Sequence, residues 1–241
     1  MRYAVLSDIH GNLEALEAVL ADAAPRTDAL LCLGDLVGYG ADPLACVEIV
    51  AARAYAITCG NHEYGVTGLL DLDWFNPHAR AAAEWTRERL DDDHRTYLAG
   101  LPLVAEVGDA TLVHASPDRP DEWEYLVTAQ DGFDAFAAFA TRLCFVGHSH
   151  VASAWSLGST RPEHLPGPID LALERGRRYI VNVGSVGQPR DRDPRAAYAI
   201  WDVDAGRVEI RRVAYDHAAT RRKIVAAGLP RFLADRLAAG A

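Results

Sequence analysis

Three short apolar runs near the start of the chain end in the same way. "YAVLS" runs into Asp8-Ile9-His10, "ALLCL" into Gly34-Asp35, and "YAITC" into Gly60-Asn61-His62-Glu63. A strand that only packs gains nothing from a carboxylate or imidazole at its end, because burying such groups without a partner costs free energy. The segments between the runs read as helices. Asn12 to Ala23 carries Leu13, Leu16, Val19 and Leu20 at helical spacing and stops before Pro25. Pro43 to Ala52 starts with Asp42 as its expected N-cap and proline at the first helical position. This β-α-β-α-β run calls for parallel strands with crossover helices, an α/β fold. In such a fold the carboxyl ends of the strands share one edge, where ligands bind.

Two later runs repeat the pattern. Ala110 to His114 ends in histidine, and Leu143 to Val146 runs into Gly147-His148-Ser149-His150. Five of the nine histidines fall in this set. Side chains two apart on a strand point the same way, so Asp8 with His10, and His148 with His150, can approach a common point. Taken singly, "DIH" or "GD" after a strand is ordinary turn chemistry. Five such endings in one chain point instead to a metal centre of imidazole and carboxylate ligands.

The segment "WFNPHARAAAEWTRERLDDDHRTYLAGLP" is helix-rich and is expected to cover one rim. Leu103 to Glu106 and Ala110 to His114 predict a hairpin around Gly108-Asp109, and Asp131 to Thr141 predicts a helix. "GSTRPEHLPGPIDLALERGRR" reads as loop. The strands after it, Tyr179 to Val183, Ala197 to Val203 and Val208 to Ala214, are expected in a second sheet. The tail from Asp216 reads as helical, split at Gly228-Leu229-Pro230. We expect one domain over residues 1–241, with a helical rim insertion at 64–100 and a C-terminal helical tail at 216–241.

With 34 acidic and 24 basic residues the formal net charge is −10, which disfavours broad docking on nucleic acid or an anionic membrane. No apolar run approaches the roughly 20 residues of a membrane span. The opening "MRYAVLSD" lacks the apolar core of a secretion signal. Cys32, Cys46, Cys59 and Cys144 include no CxxC pair and read as free thiols. A cytoplasmic protein is expected.

In this order, DIH, GDLVGYG, GNHE, VHAS and GHSH resemble the calcineurin-like metallophosphoesterases. "FNPHARAAAEW" and "NVGSVGQPRD" resemble the small prokaryotic phosphodiesterase branch of that superfamily. The resemblance extends to about Asp191. It implies a four-layer α/β/β/α sandwich of two mixed sheets flanked by helices, with a dinuclear metal site at one edge. By motif position, Asp8, His10, Asp35 and His150 would hold the first metal. Asp35, Asn61, His114 and His148 would hold the second, with Asp35 bridging. The resemblance implies two divalent transition metal ions, Mn²⁺ first, with Fe, Zn²⁺ or Ni²⁺ as alternatives. This donor set suits such ions, and the lack of Cys ligands argues against a structural zinc. Two metals about 3.5–4 Å apart lower the pKa of a bridging water and clamp phosphoryl oxygens. The implied reaction is attack of a bridging hydroxide on phosphorus. His62 and Asn61 are the catalytic candidates: His62 to protonate the leaving group or stabilise its charge, Asn61 to offer its amide to a phosphoryl oxygen.

Related phosphatases and symmetrical dinucleoside tetraphosphatases carry GDxxDRG at the second motif. Here Gly38 replaces the second Asp and Tyr39 the Arg. This argues against both activities, although Arg190 can supply a cation. Tyr39, Ser185 and Arg190 are the substrate candidates. Trp74, Phe75, Trp123 and Tyr125, with Tyr39, are candidates for stacking on a nucleobase. Glu63 is a candidate support for His62, or a solvated residue. His78, His94, His164 and His217 match no motif and are expected at the surface. The reading is a phosphodiesterase for small phosphate esters, with a cyclic nucleotide as one candidate. A phosphomonoesterase or nucleotide polyphosphate hydrolase stands second. A nuclease, or a scaffold with an eroded site, is disfavoured by the acidic charge and the complete ligand set.

Overall fold

The computed structural model describes residues 1–158, 162–167 and 169–241. Two six-stranded sheets pack face to face. In the first, β1 (Arg2–Leu6), β2 (Ala29–Cys32) and β3 (Ala54–Ile57) run parallel. The other strands of that sheet, β9 (Asp170–Ala172), β11 (Ala196–Asp202) and β12 (Arg207–Val213), add antiparallel. The order is β3-β2-β1-β11-β12-β9. The second sheet contains β4 (Val104–Val107), β5 (Ala110–Val113), β6 (Leu143–Val146), β7 (Ser153–Leu157), β8 (Pro162–Pro166) and β10 (Arg178–Asn182). Its order is β4-β5-β6-β10-β7-β8.

Strand alternation produces the layers. On β1, Val5 points between the sheets, where Leu31, Leu33, Leu112, Phe145 and Trp201 meet it. Its neighbours Ala4 and Leu6 point outward to α1 (Leu13–Ala23) and α2 (Pro43–Arg53). On β6, Phe145 faces the first sheet, while Cys144 and Val146 face Phe136 and Phe139, at and beyond the end of α6 (Ala129–Ala135). Both faces of each central strand are therefore buried, which is why these strands read as continuous apolar runs. Each large side chain fully buried this way contributes roughly 1.5–3 kcal/mol. The result is the α/β/β/α sandwich.

Four expectations need correction. Of the three strands after the Pro- and Gly-rich segment, only β10 joins the second sheet, parallel to β6. β11 returns to pair antiparallel with β1, and β12 follows it. That segment is not all loop: β8 pairs with β7, and β9 with β12, while residues 159–161 and 168 lie outside the described residues. The helix expected over Asp131 to Thr141 runs instead over Ala129–Ala135, started by a capping box between Thr128 and Asp131. Asp42 occupies the N-cap of α2 without a capping bond, and its carboxylate takes Lys223.

The helical rim holds α3 (Asn61–Thr67), α4 (Pro77–Arg87) and α5 (Asp92–Ala99). The tail forms α7 (His217–Ala226) and α8 (Arg231–Asp235), broken near Gly228-Leu229-Pro230 as expected. It packs Ile224, Leu229, Leu233 and Leu237 against Tyr39 and the α4 residues Ala79 and Ala82.

Candidate metal centre

The carboxyl ends of β1, β2, β3, β5 and β6 meet at one edge of the sandwich. Backbone bonds stitch the loops that follow: Asp8 N donates to Gly34 O, His10 N to Asp35 O, and Gly147 N to His114 O. The chain beyond β10 crosses over this junction, with Val186 N on Ser7 O and Gly187 N on Asp8 O.

The expected residues converge. Ligand atoms of Asp8, His10, Asp35 and His150 lie within 4.8 Å of one another, as do those of Asp35, His114 and His148. Asp35 belongs to both groups. Its Oδ2 lies 3.6 Å from His10 Nε2 and 3.3 Å from His114 Nε2. Asp8 Oδ1 lies 3.1 Å from His150 Nε2. Three imidazoles are anchored from behind by backbone carbonyls. His10 Nδ1 donates to Val37 O at 2.9 Å, His114 Nδ1 to Leu33 O at 2.9 Å, and His150 Nδ1 to Gln188 O at 2.6 Å. Each bond fixes the ring with Nε2 turned toward the cluster.

A metal also accounts for otherwise costly features. Asp8 Oδ1, Asn61 Oδ1 and His114 Nε2 are buried without a hydrogen-bond partner. Asp8, His10, Asp35, His148 and His150 all have positive φ, between 51° and 63°. Left-handed backbone at non-glycine residues costs free energy and concentrates at functional sites. The donor atoms suit divalent metal, in two groups that could each hold an ion and that have Asp35 in common.

The electrostatics suit that role. Burial works to raise Asp8 and Asp35, but the surrounding imidazoles hold both below the ordinary carboxylate range. Burial lowers His148 to about 3 and His150 to about 4, so both rings are neutral. His62 is also held well below its usual value, chiefly by burial. Burial would lower His114 too, but Asp35 reverses the effect and raises it to about 9.

His62 stands beside the cluster, its ring 4.7 Å from that of His10, centre to centre. Its Nδ1 is buried and unpartnered. Glu63 is neither a partner of His62 nor solvated. Its two carboxylate oxygens accept the backbone N–H groups of Asp35, Leu36, Val37 and Gly60, joining the loops after β2 and β3. Burial and the Asp35 charge push it up to about 7 against those amides.

The substrate candidates divide. Tyr39 packs its ring 4.4 Å from His10 and 4.6 Å from His62. Arg190 donates to the Tyr39 hydroxyl at 3.3 Å. Ser185 stands away from the opening. It is fully buried, and its hydroxyl donates to Asp8 O and accepts from Gln188 N, so it holds the loop just after β1 instead of lining a pocket. All five aromatics singled out in the sequence, Tyr39, Trp74, Phe75, Trp123 and Tyr125, line one cavity of about 630 Å³ together with Asn61 and His148. Tyr125 stacks on His148 at 4.1 Å. Among the unmatched histidines His78 is exposed, whereas His94, His164 and His217 are half-buried. Sequence reasoning missed the clamp by Glu63 and the carbonyl of Gln188. Only the bond from Gly60 N to Glu63 follows a local pattern, the third residue of α3 reaching back to its N-cap; the other partners of Glu63, and the His150 ring that Gln188 O accepts, are brought close by the fold.

An edge-sited cluster of Asp, His and Asn on a double-sheet sandwich is the framework of a metal-dependent hydrolase. The model of the calcineurin-like phosphoesterase superfamily domain matches residues 1–206, and the chain belongs to that superfamily. A metallophosphoesterase crystal structure from Sphaerobacter thermophilus is 47% identical, covers 100% of this chain and 99% of its own, and has a TM-score of 0.87. An uncharacterised protein of Methanocaldococcus jannaschii is 40% identical over 98% of this chain and 97% of its own length. A symmetrical bis(5′-nucleosyl)-tetraphosphatase of Glaesserella parasuis is 30% identical over 52% of this chain, which spans 47% of that relative. Membership makes the chain a phosphoester hydrolase with a candidate divalent-metal site. Among the described residues no helix is long and apolar enough to cross a membrane.

Proposed function

We propose that this protein is a metal-dependent phosphodiesterase acting on small nucleotide esters. The observation that carries the reading is the convergence of two ligand groups on Asp35 beside an aromatic cavity. Asp8, His10, Asp35 and His150 would hold one ion, and Asp35, Asn61, His114 and His148 the other, with Mn²⁺ the first choice. When bound, the ions supply positive charge for the phosphoryl oxygens and lower the pKa of water.

The protein's own groups do the rest. Asn61, whose carbonyl oxygen is buried without a partner, would offer that oxygen to a metal and its N–H₂ to a phosphoryl oxygen. His62, held neutral by burial, donates one ring N–H to the leaving oxygen as charge develops there. The aromatic walls bury the organic group of the ester and exclude water from the back of the cavity. Four buried free thiols favour a reducing, cytoplasmic setting. A second reading, hydrolysis of a nucleotide polyphosphate, draws support from the half-length similarity to the tetraphosphatase.

The test is to strip the protein, reload it with Mn²⁺, and compare bis-p-nitrophenyl phosphate with p-nitrophenyl phosphate. Diester turnover exceeding monoester turnover, and lost in Asp8→Ala and reduced in His62→Ala, is the expected result. A monoester preference would replace the reading with a phosphatase. Absence of turnover on both would end the phosphodiesterase reading.

A further inference from the structure

Two arginines meet at the rim of the centre, and the second comes from outside the matched region. Arg190 follows β10. Its backbone N–H donates to His150 O, and its guanidinium lies 5.6 Å from the Tyr39 ring centre. Arg236 belongs to a short 3₁₀ turn after α8, thirty residues beyond the end of the family match. Both guanidinium groups donate to one neutral acceptor, Gln188 Oε1, at 2.9 Å from Arg190 and 3.0 Å from Arg236.

Like charges converge on a neutral oxygen only at a cost, unless an anion completes the set. Among the described residues neither guanidinium pairs with an Asp or Glu side chain. Asp191, next to Arg190, is taken by Arg212. Arg190 also donates to the Tyr39 hydroxyl, and Arg236 Nε to an oxygen of Ala241, the last residue of the sequence, whose terminal carboxylate offsets one of the two charges and leaves the pair with a net positive charge. Arg190 Nε is buried with no partner at all. Burial and the Arg190 charge both hold Arg236 below its ordinary pKa, as expected of two cations facing each other.

The pair stands close to the proposed reaction centre. Tyr39, under Arg190, packs on His10 and His62 and lines the aromatic cavity. Tyr125, on the wall of the same cavity, stacks on His148. The tail that carries Arg236 is fastened to this rim. Lys223 reaches Asp42 and Glu14, Trp85 Nε1 donates to Ala227 O, and Leu237 packs in the cluster with Tyr39.

We propose that Arg190 and Arg236 form a second anion subsite, which takes a further phosphate of a nucleotide whose reacting phosphate lies at the metal centre. Two planar guanidinium groups are suited to bidentate binding of phosphate. The ligand class is a nucleotide with at least two phosphates, or a dinucleotide in which they are linked. The C-terminal tail is then part of the substrate site and not only a packing element. This rests on the phosphoesterase reading for its metal centre, but the arginine pair is tested by binding alone.

The experiment measures Kd by calorimetry for ADP and AMP on the Mn²⁺-loaded protein, for wild type, Arg236→Gln and Arg236→Lys. The comparison between variants cancels metal chelation by free nucleotide. Wild type is expected to bind ADP more tightly than AMP. Arg236→Gln should weaken ADP by about tenfold, the scale of a charge-assisted hydrogen bond, and leave AMP within about twofold. Arg236→Lys, which keeps the charge, should recover part of the loss and provides a folded comparison if the glutamine variant melts. No ADP preference in wild type, or equal losses for ADP and AMP in Arg236→Gln, would overturn the subsite. A normal ADP preference without turnover of bis-p-nitrophenyl phosphate would reject the diesterase reading and keep the subsite.

Discussion

Gly38 lies directly against His62: a Cβ at Gly38 would sit 2.2 Å from His62 Nδ1. The backbone there has φ of +86°, which suits glycine. Where GDxxDRG has its second Asp, Gly38 therefore leaves no room for a side chain toward His62, and His62 packs against Tyr39 and Phe75.

Restoring the carboxylate should accordingly harm the protein. Gly38→Asp is expected to displace His62 and to lower kcat on a diester by at least tenfold, with a smaller effect on metal content. Gly38→Ala should show the same direction, since the first added carbon already collides. Steady-state kinetics with metal analysis separates the two effects. Unchanged kcat in both variants would contradict the contact.

Glu63 joins two loops through four backbone N–H groups, two on each oxygen. Glu63→Gln replaces one acceptor oxygen by a donor, facing two amides that already donate. Leaving two buried donors unsatisfied should cost about 2–4 kcal/mol. Denaturant unfolding should register this as a lower midpoint with unchanged slope, accompanied by weaker metal binding. A stability within error of wild type would remove the clamp from the account.

Metal uptake should release protons. In the metal-free protein Asp35 overcomes the burial of His114 and raises it to about 9, so the ring is cationic at neutral pH. A cationic imidazole cannot bind a metal, so His114 must lose its proton first. Affinity should therefore rise with pH up to about 9 and level off above it. Calorimetry at pH 7.5 in buffers of differing ionisation enthalpy should count a proton released on loading, and His114→Ala should remove it.

Acid stability should depend on Asp22, far from the centre. Burial works to raise its carboxyl, but the Arg211 guanidinium and the Tyr198 hydroxyl reverse the effect and hold it below the ordinary value. A group depressed on folding stabilises the protein above its unfolded pKa, about 3.9, and this contribution is lost as pH falls through the lower folded value. Asp22→Asn should lower the melting temperature at pH 7 and narrow the gap to wild type below about pH 4. An equal gap at both pH values would show that packing, not charge, is what Asp22 supplies.

The strand endings were legible in the sequence because they break a rule. Asp8, His10, Asp35, Asn61, His114, His148 and His150 interrupt apolar runs where packing alone gives no reason for them, and the fold brings all seven to one edge. The return of β11 to β1 was not legible. An apolar strand such as "AAYAIWD" presents the same backbone donors and acceptors to either sheet, so its own residues do not choose a neighbour. Ser185 was singled out from the segment NVGSVGQPRD, and only the crossing of that loop behind Asp8 turns its hydroxyl inward.

The sequence by itself determined the α/β class, the edge where chemistry occurs and the ligand types, since strand period and metal-donor chemistry are local properties of the chain. The tertiary structure alone decided which aromatics share a cavity, that Glu63 serves the backbone, and that Arg236 reaches Gln188 from forty-eight residues away. Those contacts join segments that carry no mark of one another. They arise when the apolar face of the tail is buried on Tyr39 and α4, so the position of Arg236 follows from packing around it and not from its own surroundings in the sequence.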